Sequence, residues 1–148
     1  EAITKEMMDG LRAQQKAVKL MGIAVKEGDR YALAVTPVIV SSLSLEANVP
    51  LNFNIVSFEG NYVGEVKLYG QGAGGDPTAD AVVRDILKVA RGDAACYERH
   101  FTKALAYDPS LLRGRCHVGD RVLEDAVLAE ASAQAVREQV PFAFEFNA

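Results

Sequence analysis

A glycine-rich stretch between a short strand and a helix constrains the fold of this chain more than any other feature. Residues 66–69 alternate apolar and polar side chains, as a strand does, and four glycines follow within six positions: Gly70, Gly72, Gly74 and Gly75. Because glycine has no Cβ, such a segment adopts positive φ angles and lets backbone N–H groups approach a ligand. The rest of the chain is therefore interpreted as a scaffold for this loop.

A helix is predicted directly after the glycines. Asp76 is suited to cap it, and Pro77 suits the first helical position, where a missing N–H costs nothing. Apolar side chains recur at three- and four-residue spacing over 78–91 and predict one buried face, and Gly92 ends the helix. Free amides at a helix N-terminus attract anions or the polar edge of a cofactor, so the loop is a candidate ligand site.

The spacing of the glycines leaves two interpretations open. Gly70, Gly72 and Gly75 satisfy G-x-G-x-x-G, the dinucleotide fingerprint, but that motif should open a βαβ unit. Hairpin-like strands precede the motif here, and residues 92–95 after the helix do not begin a second buried strand. The alternative is a glycine-rich turn that only connects the strand to the helix.

The amino-acid sequence of the loop resembles that of a known family. Residues 69–79, with 81–83 and Asp85, resemble the signature Y-G-x-G-A-G-x-x-P-T-A-x-A-V-V-x-D of the homoserine dehydrogenases. In that family the signature belongs to the substrate-binding catalytic domain and not to the dinucleotide-binding domain. Further matching blocks precede the loop in the family's order, so that the resemblance covers roughly residues 3–91: 3–4, 18–24, 35–37, 52–54, 59–61 and 63–65.

The resemblance implies a role for the loop. In the family it lies beside the nicotinamide ring of NAD or NADP and the bound amino acid. Carried over by motif, this puts Gly72, Ala73 and Gly74 at the cofactor, with Gly70 shaping the turn. Tyr69 ends the strand at a place where it can line a substrate pocket, or it is only an amphipathic core residue.

The implied reaction is hydride transfer between NAD(P)H and the aldehyde of aspartate semialdehyde, which gives homoserine. The resemblance implies that the family's lysine and acidic groups for proton transfer and substrate binding precede the point where this sequence begins. No catalytic residue is therefore assigned within the chain. Solvated edge or surface positions are expected for the other candidates: Lys16, Lys19, Lys26, Lys67, Glu65 and Asp85.

Composition excludes several classes of partner. A net charge of -4 offers no basic stripe to neutralise phosphates, so no nucleic-acid partner is expected. No apolar run approaches 18 residues and no targeting segment is recognisable, which favours a cytoplasmic protein without a membrane partner. The first residue is Glu1, which suggests a fragment.

Two cysteines and two histidines lie in the last third of the chain. Cys96 and Cys116 are twenty positions apart and are interpreted as free thiols. His100 and His117 lie near them, so a Cys/His metal site or a nucleophilic Cys–His pair is an alternative. Neither has the paired short-spaced ligands or the local activation that such sites use, and no metal is predicted.

The predicted fold class is α+β, a two-layer arrangement of an antiparallel or mixed sheet with helices packed on one face. Hairpins over 16–40 and 52–69, the second turning at Gly60-Asn61, supply four antiparallel strands. Helices 4–14, capped by Thr4, and 78–91 are expected to cover one face. Strand 16–26 is apolar on both faces and the family is implied to dimerise through this sheet, so we expect a homodimer.

Two domains are predicted, with a boundary after Gly92. Residues 1–92 form the partial catalytic and dimerisation domain, and 93–148 form an α/β extension that matches no family we can name. The extension's pattern predicts helix, strand, helix and strand over 94–107, 113–118, 121–138 and 140–146. It has neither the opening strand nor the glycine turn of an ACT domain, so allosteric control is not transferred.

The function predicted from these observations is part of a homoserine dehydrogenase-like oxidoreductase of the aspartate pathway to threonine and methionine, inactive alone. One alternative is a stand-alone binding or regulatory module that retains the dehydrogenase-like sheet. The other is a scaffold that binds no ligand.

Overall fold

The computed structural model describes residues 3–93 and 104–146, and the chain divides into two compact units. The first, which we call the sheet unit, contains Glu1–Ala47 and Ala104–Ala148. The second, the loop unit, contains Asn48–Lys103. The predicted boundary after Gly92 does not coincide with this division, because the C-terminal segment folds together with the N-terminal hairpin.

The sheet unit is built on a six-stranded mixed sheet with one helix on each face. Its elements are α1 (Lys5–Ala13), β1 (Lys16–Glu27), β2 (Arg30–Ser41), β5 (Ala106–Tyr107), β6 (Arg113–Val118), β7 (Arg121–Val127), α3 (Leu128–Glu138) and β8 (Phe142–Glu145). The strand order is β1-β2-β8-β6-β7, and the short β5 also pairs with β2. A 3-10 turn, Pro109–Leu111, precedes β6, and another, Glu46–Asn48, follows β2.

The N-terminal half of this unit agrees with the prediction. Strands β1 and β2 form a continuous antiparallel hairpin from Lys16↔Ser41 to Glu27↔Arg30, and Gly28 turns the chain with φ 58°. Helix α1 begins as expected, because the Thr4 hydroxyl oxygen accepts a hydrogen bond from the Met7 N–H at 3.2 Å.

Strand β8 is covered on both faces. It pairs in parallel with β2 at Val38↔Phe144 and antiparallel with β6, so it lies inside the sheet. Ala143 packs with Leu11 of α1 on one face, and the fully buried Phe144 packs on the other. The cluster around Phe144 also includes the following residues from β2, β6, α3 and β8: Ala32, Cys116, Val118, Leu128, Ala131, Ala135 and Phe142.

The C-terminal pattern is partly confirmed and partly wrong. Strands over 113–118 and 140–146 are present as β6 and β8. The helix predicted over 121–138 is half strand, because 121–127 pairs with β6 as β7 and the helix begins only at Leu128. The helix predicted over 94–107 lies mostly outside the described residues, and its end is strand β5.

The loop unit contains a two-stranded hairpin and a long helix. Strands β3 (Phe53–Gly60) and β4 (Gly64–Gln71) pair antiparallel, and α2 follows over Gly75–Arg91. The hairpin turns through three residues and uses Gly64 at φ 68°, so the predicted two-residue turn at Gly60-Asn61 is wrong. Gly92 ends α2 in the left-handed conformation, as predicted.

The α+β class is confirmed, but the predicted four-stranded sheet is wrong. Strands β3 and β4 form a sheet of their own. Helix α1 packs on β1 as expected, whereas α2 buries none of its residues although its apolar stripe includes Val82, Val83, Ile86 and Leu87. An amphipathic pattern shows that a helix has an apolar face, but it does not show what covers that face. No helix within the described residues combines the length and hydrophobicity that crossing a bilayer requires.

The carboxylate of Glu145 connects the first and the last strand of the sheet unit. The Glu145 carboxylate of β8 accepts a hydrogen bond from Lys16 Nζ at 2.6 Å and one from His117 Nε2 at 3.3 Å. Arg115 Nη1 lies 3.7 Å from the same carboxylate. Burial raises the pKa of Glu145, but these bonds and charges outweigh it and hold the pKa below its ordinary value.

We expect Glu145→Gln to lower the free energy of unfolding by about 2 kcal/mol at neutral pH, because hydrogen bonds to a charged group are lost. A folded-state pKa below the unfolded one means that this stabilisation is complete above about pH 5 and is lost as the pH falls through the folded-state pKa. Urea unfolding at pH 7 and at progressively lower pH should therefore show a difference between the two chains that shrinks as the solution becomes more acidic. Glu124→Gln removes the same charge from an exposed pair with Arg115 and should cost at most about 0.5 kcal/mol. Equal losses for the two variants would contradict this prediction.

Candidate functional site

The glycine loop lies at the open end of the β3–β4 hairpin. Because Phe53 at the start of β3 pairs with Gln71 at the end of β4, the residues just outside the pair, Asn52 and Gly72, are neighbours. The hairpin register therefore fixes which residue meets the start of the loop.

Asn52 holds the first half of the loop through main chain and side chain. Its carbonyl oxygen accepts hydrogen bonds from the N–H groups of Gly72 and Ala73, at 3.1 and 3.3 Å. Its side-chain Nδ2 donates to the carbonyl oxygen of Ala73 at 2.9 Å. The amides of Gly72 and Ala73 are thus already occupied within the protein.

Gly72 also makes a close contact with a second asparagine. A Cβ on Gly72 would overlap the side-chain amide of Asn54, so any other residue there would force this exposed side chain to move. This contact gives a steric reason for glycine at position 72.

The second half of the loop has exposed backbone N–H groups. Gly74, with φ 106° and ψ 164°, is the N-cap of α2, and no side chain caps the helix. No hydrogen bond from the N–H groups of Gly74, Gly75 or Asp76 is found among the described residues, and all three residues are exposed. Such amides, at the positive end of a 17-residue helix dipole, suit an anion or a carbonyl oxygen.

The predicted cap is wrong, and the reason is local. The helix begins at Gly75, so Asp76 and Pro77 are its second and third residues. Asp76 still favours the helix as a negative charge near its N-terminus. The cap position itself has φ and ψ values that glycine adopts at no steric cost.

The remaining predicted site residues lie in β4. Gly70 pairs with Asn54 within the ladder, so it is part of the strand rather than of the turn. Tyr69 is 56% exposed, and its ring stacks on Phe53 with centroids 5.0 Å apart. An aromatic pair with an exposed Tyr69 and a half-buried Phe53 therefore lies just before the loop.

Several charged side chains that the sequence offered as alternative candidates are engaged in ion pairs. Lys67 pairs with Glu65 at 3.0 Å, and Lys16 pairs with Glu145. Asp85 pairs with Lys88 at 3.5 Å on the exposed surface of α2.

The cysteine alternatives receive little support from the described part of the chain. Burial raises the pKa of Cys116 to about 11, which keeps this thiol protonated and unreactive at neutral pH. Within residues 3–93 and 104–146 no three His, Cys, Asp or Glu side chains are grouped as a metal site would require. Cys96 and His100 lie outside the described residues.

Asn52 was predicted only as part of the family resemblance, and no role was predicted for it. The signal that could have identified it is its position, immediately before the strand whose partner leads into the loop. An asparagine there has both a free carbonyl and a side-chain donor within reach of the turn.

Comparisons with known proteins agree with the reading of the loop. The family model described as homoserine dehydrogenase matches residues 1–87. The Helicobacter pylori homoserine dehydrogenase is 38% identical over 91 residues, which are 62% of this chain and 22% of that protein. The crystal structure of a homoserine dehydrogenase from Thiobacillus denitrificans matches 77% of this chain and 29% of that chain, with a TM-score of 0.61 and 28% identity.

The C-terminal segment has relatives too. The homoserine dehydrogenase of Mycobacterium bovis is 30% identical over 136 residues, covering 85% of this chain and 31% of that protein. This match is longer than residues 1–92 and must include part of the segment that the sequence analysis left without a family. The chain spans between about a fifth and a third of the length of the relatives it matches. It belongs to the homoserine dehydrogenase family.

Proposed function

We propose that this chain supplies the glycine loop of an NAD(P)-dependent oxidoreductase that interconverts homoserine and aspartate semialdehyde. The observation that carries the proposal is the set of exposed amides at Gly74, Gly75 and Asp76, within the segment that the family model matches. Its place in metabolism would be the aspartate pathway to threonine and methionine, in the cytoplasm.

The loop fits the nicotinamide end of NAD or NADP. The three exposed amides at the start of α2 can donate to a carboxamide or phosphate oxygen, and glycine at positions 72 and 74 keeps side chains out of the approach. Gly72 and Ala73 would contribute through van der Waals contact, because Asn52 already accepts their N–H groups. Gly70 would align the strand end, and Tyr69 would offer its exposed ring to the substrate.

The dinucleotide supplies the hydride, and the residues of this chain would bind and orient it. Lys67, the lysine nearest the loop in sequence, is engaged by Glu65 at 3.0 Å and is poorly placed to move the proton of the alcohol. We therefore expect no turnover of homoserine by the 148 residues alone.

A homodimer is part of the proposal. The long β1 is an edge strand of its sheet, and large apolar side chains of the β1–β2 hairpin remain exposed: Leu20, Leu33 and Val35. An unpaired edge strand next to exposed apolar side chains on the sheet face is the kind of surface that a second copy covers. The acidic net charge of -4 supports a small-molecule partner over a nucleic acid.

An NMR titration with the two halves of the dinucleotide tests the proposed site. Nicotinamide mononucleotide should shift the amide resonances of Gly74, Gly75 and Asp76 with a Kd on the order of 1 mM, and AMP should not. NADP, NAD and homoserine, added separately and together, extend the test to the complete ligands. Equal shifts from AMP, or no shift at these amides with any of the ligands, would contradict the proposal.

A further inference from the structure

The two halves of the glycine loop differ in how they are held. Asn52 binds the first half through three hydrogen bonds, two to its own carbonyl oxygen and one from its side chain to Ala73. The second half, from Gly74, begins the helix and has no side-chain cap. The conformation of the first half therefore sets where the amides of the second half point.

The side chain of Asn52 reaches both halves. Its Nδ2 donates to the Ala73 carbonyl oxygen at 2.9 Å, and a Cβ on Gly74 would lie 3.5 Å from the same nitrogen. Fixing the Ala73 carbonyl fixes the peptide plane between Ala73 and Gly74, and that plane carries the Gly74 N–H. The side chain of Asn52 thus orients the first of the exposed amides.

We propose that Asn52 is a positioning residue, whose side-chain amide locks the Ala73–Gly74 peptide so that the amides of residues 74–76 converge on the ligand. The inference rests on the proposed function, since it concerns the same loop. It adds a residue outside the glycine signature and a specific bond through which that residue acts.

The hairpin does not depend on this side chain. Its register runs through eight residue pairs from Phe53↔Gln71 to Gly60↔Gly64, and Asn52 lies outside the first of them. Loss of the Nδ2 donor leaves a half-buried position before the strand and an exposed carbonyl that water can reach. A substitution there should alter the loop and leave the fold intact.

Asn52→Asp in the full chain tests the inference. It keeps the shape of the side chain but turns the donor into a carboxylate oxygen that repels the Ala73 carbonyl. Asn61→Asp is the matched control, because it makes the same change of charge in the exposed turn at the other end of the hairpin. Both variants are compared with the unsubstituted chain by amide hydrogen exchange, by thermal unfolding and by titration with nicotinamide mononucleotide.

The N–H groups of Gly72 and Ala73 bond to the main-chain carbonyl of residue 52, which Asn52→Asp retains, so faster exchange there would report motion of the loop after the Ala73–Gly74 peptide is released. We expect Asn52→Asp to speed amide exchange at Gly72 and Ala73 about tenfold and to weaken nicotinamide mononucleotide binding about tenfold, with the melting temperature almost unchanged. Asn61→Asp should match the unsubstituted chain in exchange at the loop and in binding. Unchanged exchange at Gly72 and Ala73, or unchanged binding, in Asn52→Asp would overturn the inference.

The test separates this inference from the proposed function. If the mononucleotide shifts no amide of residues 74–76 in the unsubstituted chain while Asn52→Asp still releases Gly72 and Ala73, the proposed function fails and the positioning of the loop by Asn52 is supported. If the mononucleotide binds equally well to the unsubstituted chain and to Asn52→Asp, the proposed ligand site is supported and the positioning role of Asn52 is wrong.

Discussion

Gly114→Ala should destabilise the sheet unit by about 3 kcal/mol, at the upper end of what an added methyl group costs in a packed interior. A Cβ at this buried position would lie 2.6 Å from the carbonyl oxygen of Glu145 and 2.7 Å from Cζ of the Phe144 ring. The nearest atom belongs to backbone, which cannot rotate away. Either β6 or β8 must therefore move. Strand β6 is joined to the sheet through β8, which in turn pairs with β2 of the N-terminal hairpin.

Urea unfolding followed by far-UV circular dichroism measures this effect. Gly22→Ala in β1 is the matched control, because nothing lies within 4 Å of a Cβ there. It should be neutral or stabilise by up to about 1 kcal/mol, since glycine in a strand interior is unfavourable. The double variant Gly114→Ala with Phe144→Leu should show coupling, because the smaller side chain relieves part of the clash. A Gly114→Ala chain as stable as the control would show that β6 and β8 are not packed as described.

The architecture of the sheet unit shows where sequence patterns stop being informative. Local signals found β1, β2, β6 and β8, because alternation and turn residues are encoded within a few positions. That β8 inserts between β2 and β6 is a long-range pairing, and no local pattern specifies it. The boundary predicted after Gly92 followed from treating the C-terminal segment as a separate element.

Strand β7 illustrates the competition between helix and strand. Residues 121–138 contain apolar spacing that suits a helix throughout, yet 121–127 pairs with β6 across the Gly119 turn. Tertiary pairing therefore overrides helix propensity in the first half, whereas α3 covers Phe144 and its neighbours in the second. The helical signal was real but its extent depended on a partner elsewhere in the chain.

The location of the candidate site could be predicted from the sequence, but the hydrogen bonds within it could not. A run of glycines before a helix marks a loop with open amides, and the structure places such amides at Gly74, Gly75 and Asp76. Which amides are open depends on the hydrogen bonds of Asn52, twenty positions earlier, and on the exact start of α2. Neither could be read from the glycine spacing.

Gly74→Ala and Gly75→Ala, two identical changes at adjacent positions, should have opposite results. Gly74 has φ 106° and ψ 164°, a region that side chains with a Cβ enter only at a cost of about 1–3 kcal/mol. Gly75 is the first residue of α2, with an ordinary φ and open space around a Cβ, so alanine there should favour the helix by up to about 1 kcal/mol. We therefore expect Gly74→Ala to rearrange the loop and Gly75→Ala to preserve it.

Nicotinamide mononucleotide binding and amide chemical shifts measure the contrast. In Gly74→Ala the resonances of residues 72–76 should move together, and binding should weaken more than tenfold, because the amides no longer converge. In Gly75→Ala binding should stay within about threefold of the unsubstituted chain. Far-UV circular dichroism should be the same in both variants, since neither substitution changes a residue of the sheet unit. Equal binding by the two variants would mean that the positive-φ conformation of Gly74 has no part in presenting the amides, and the proposed ligand site would have to be abandoned.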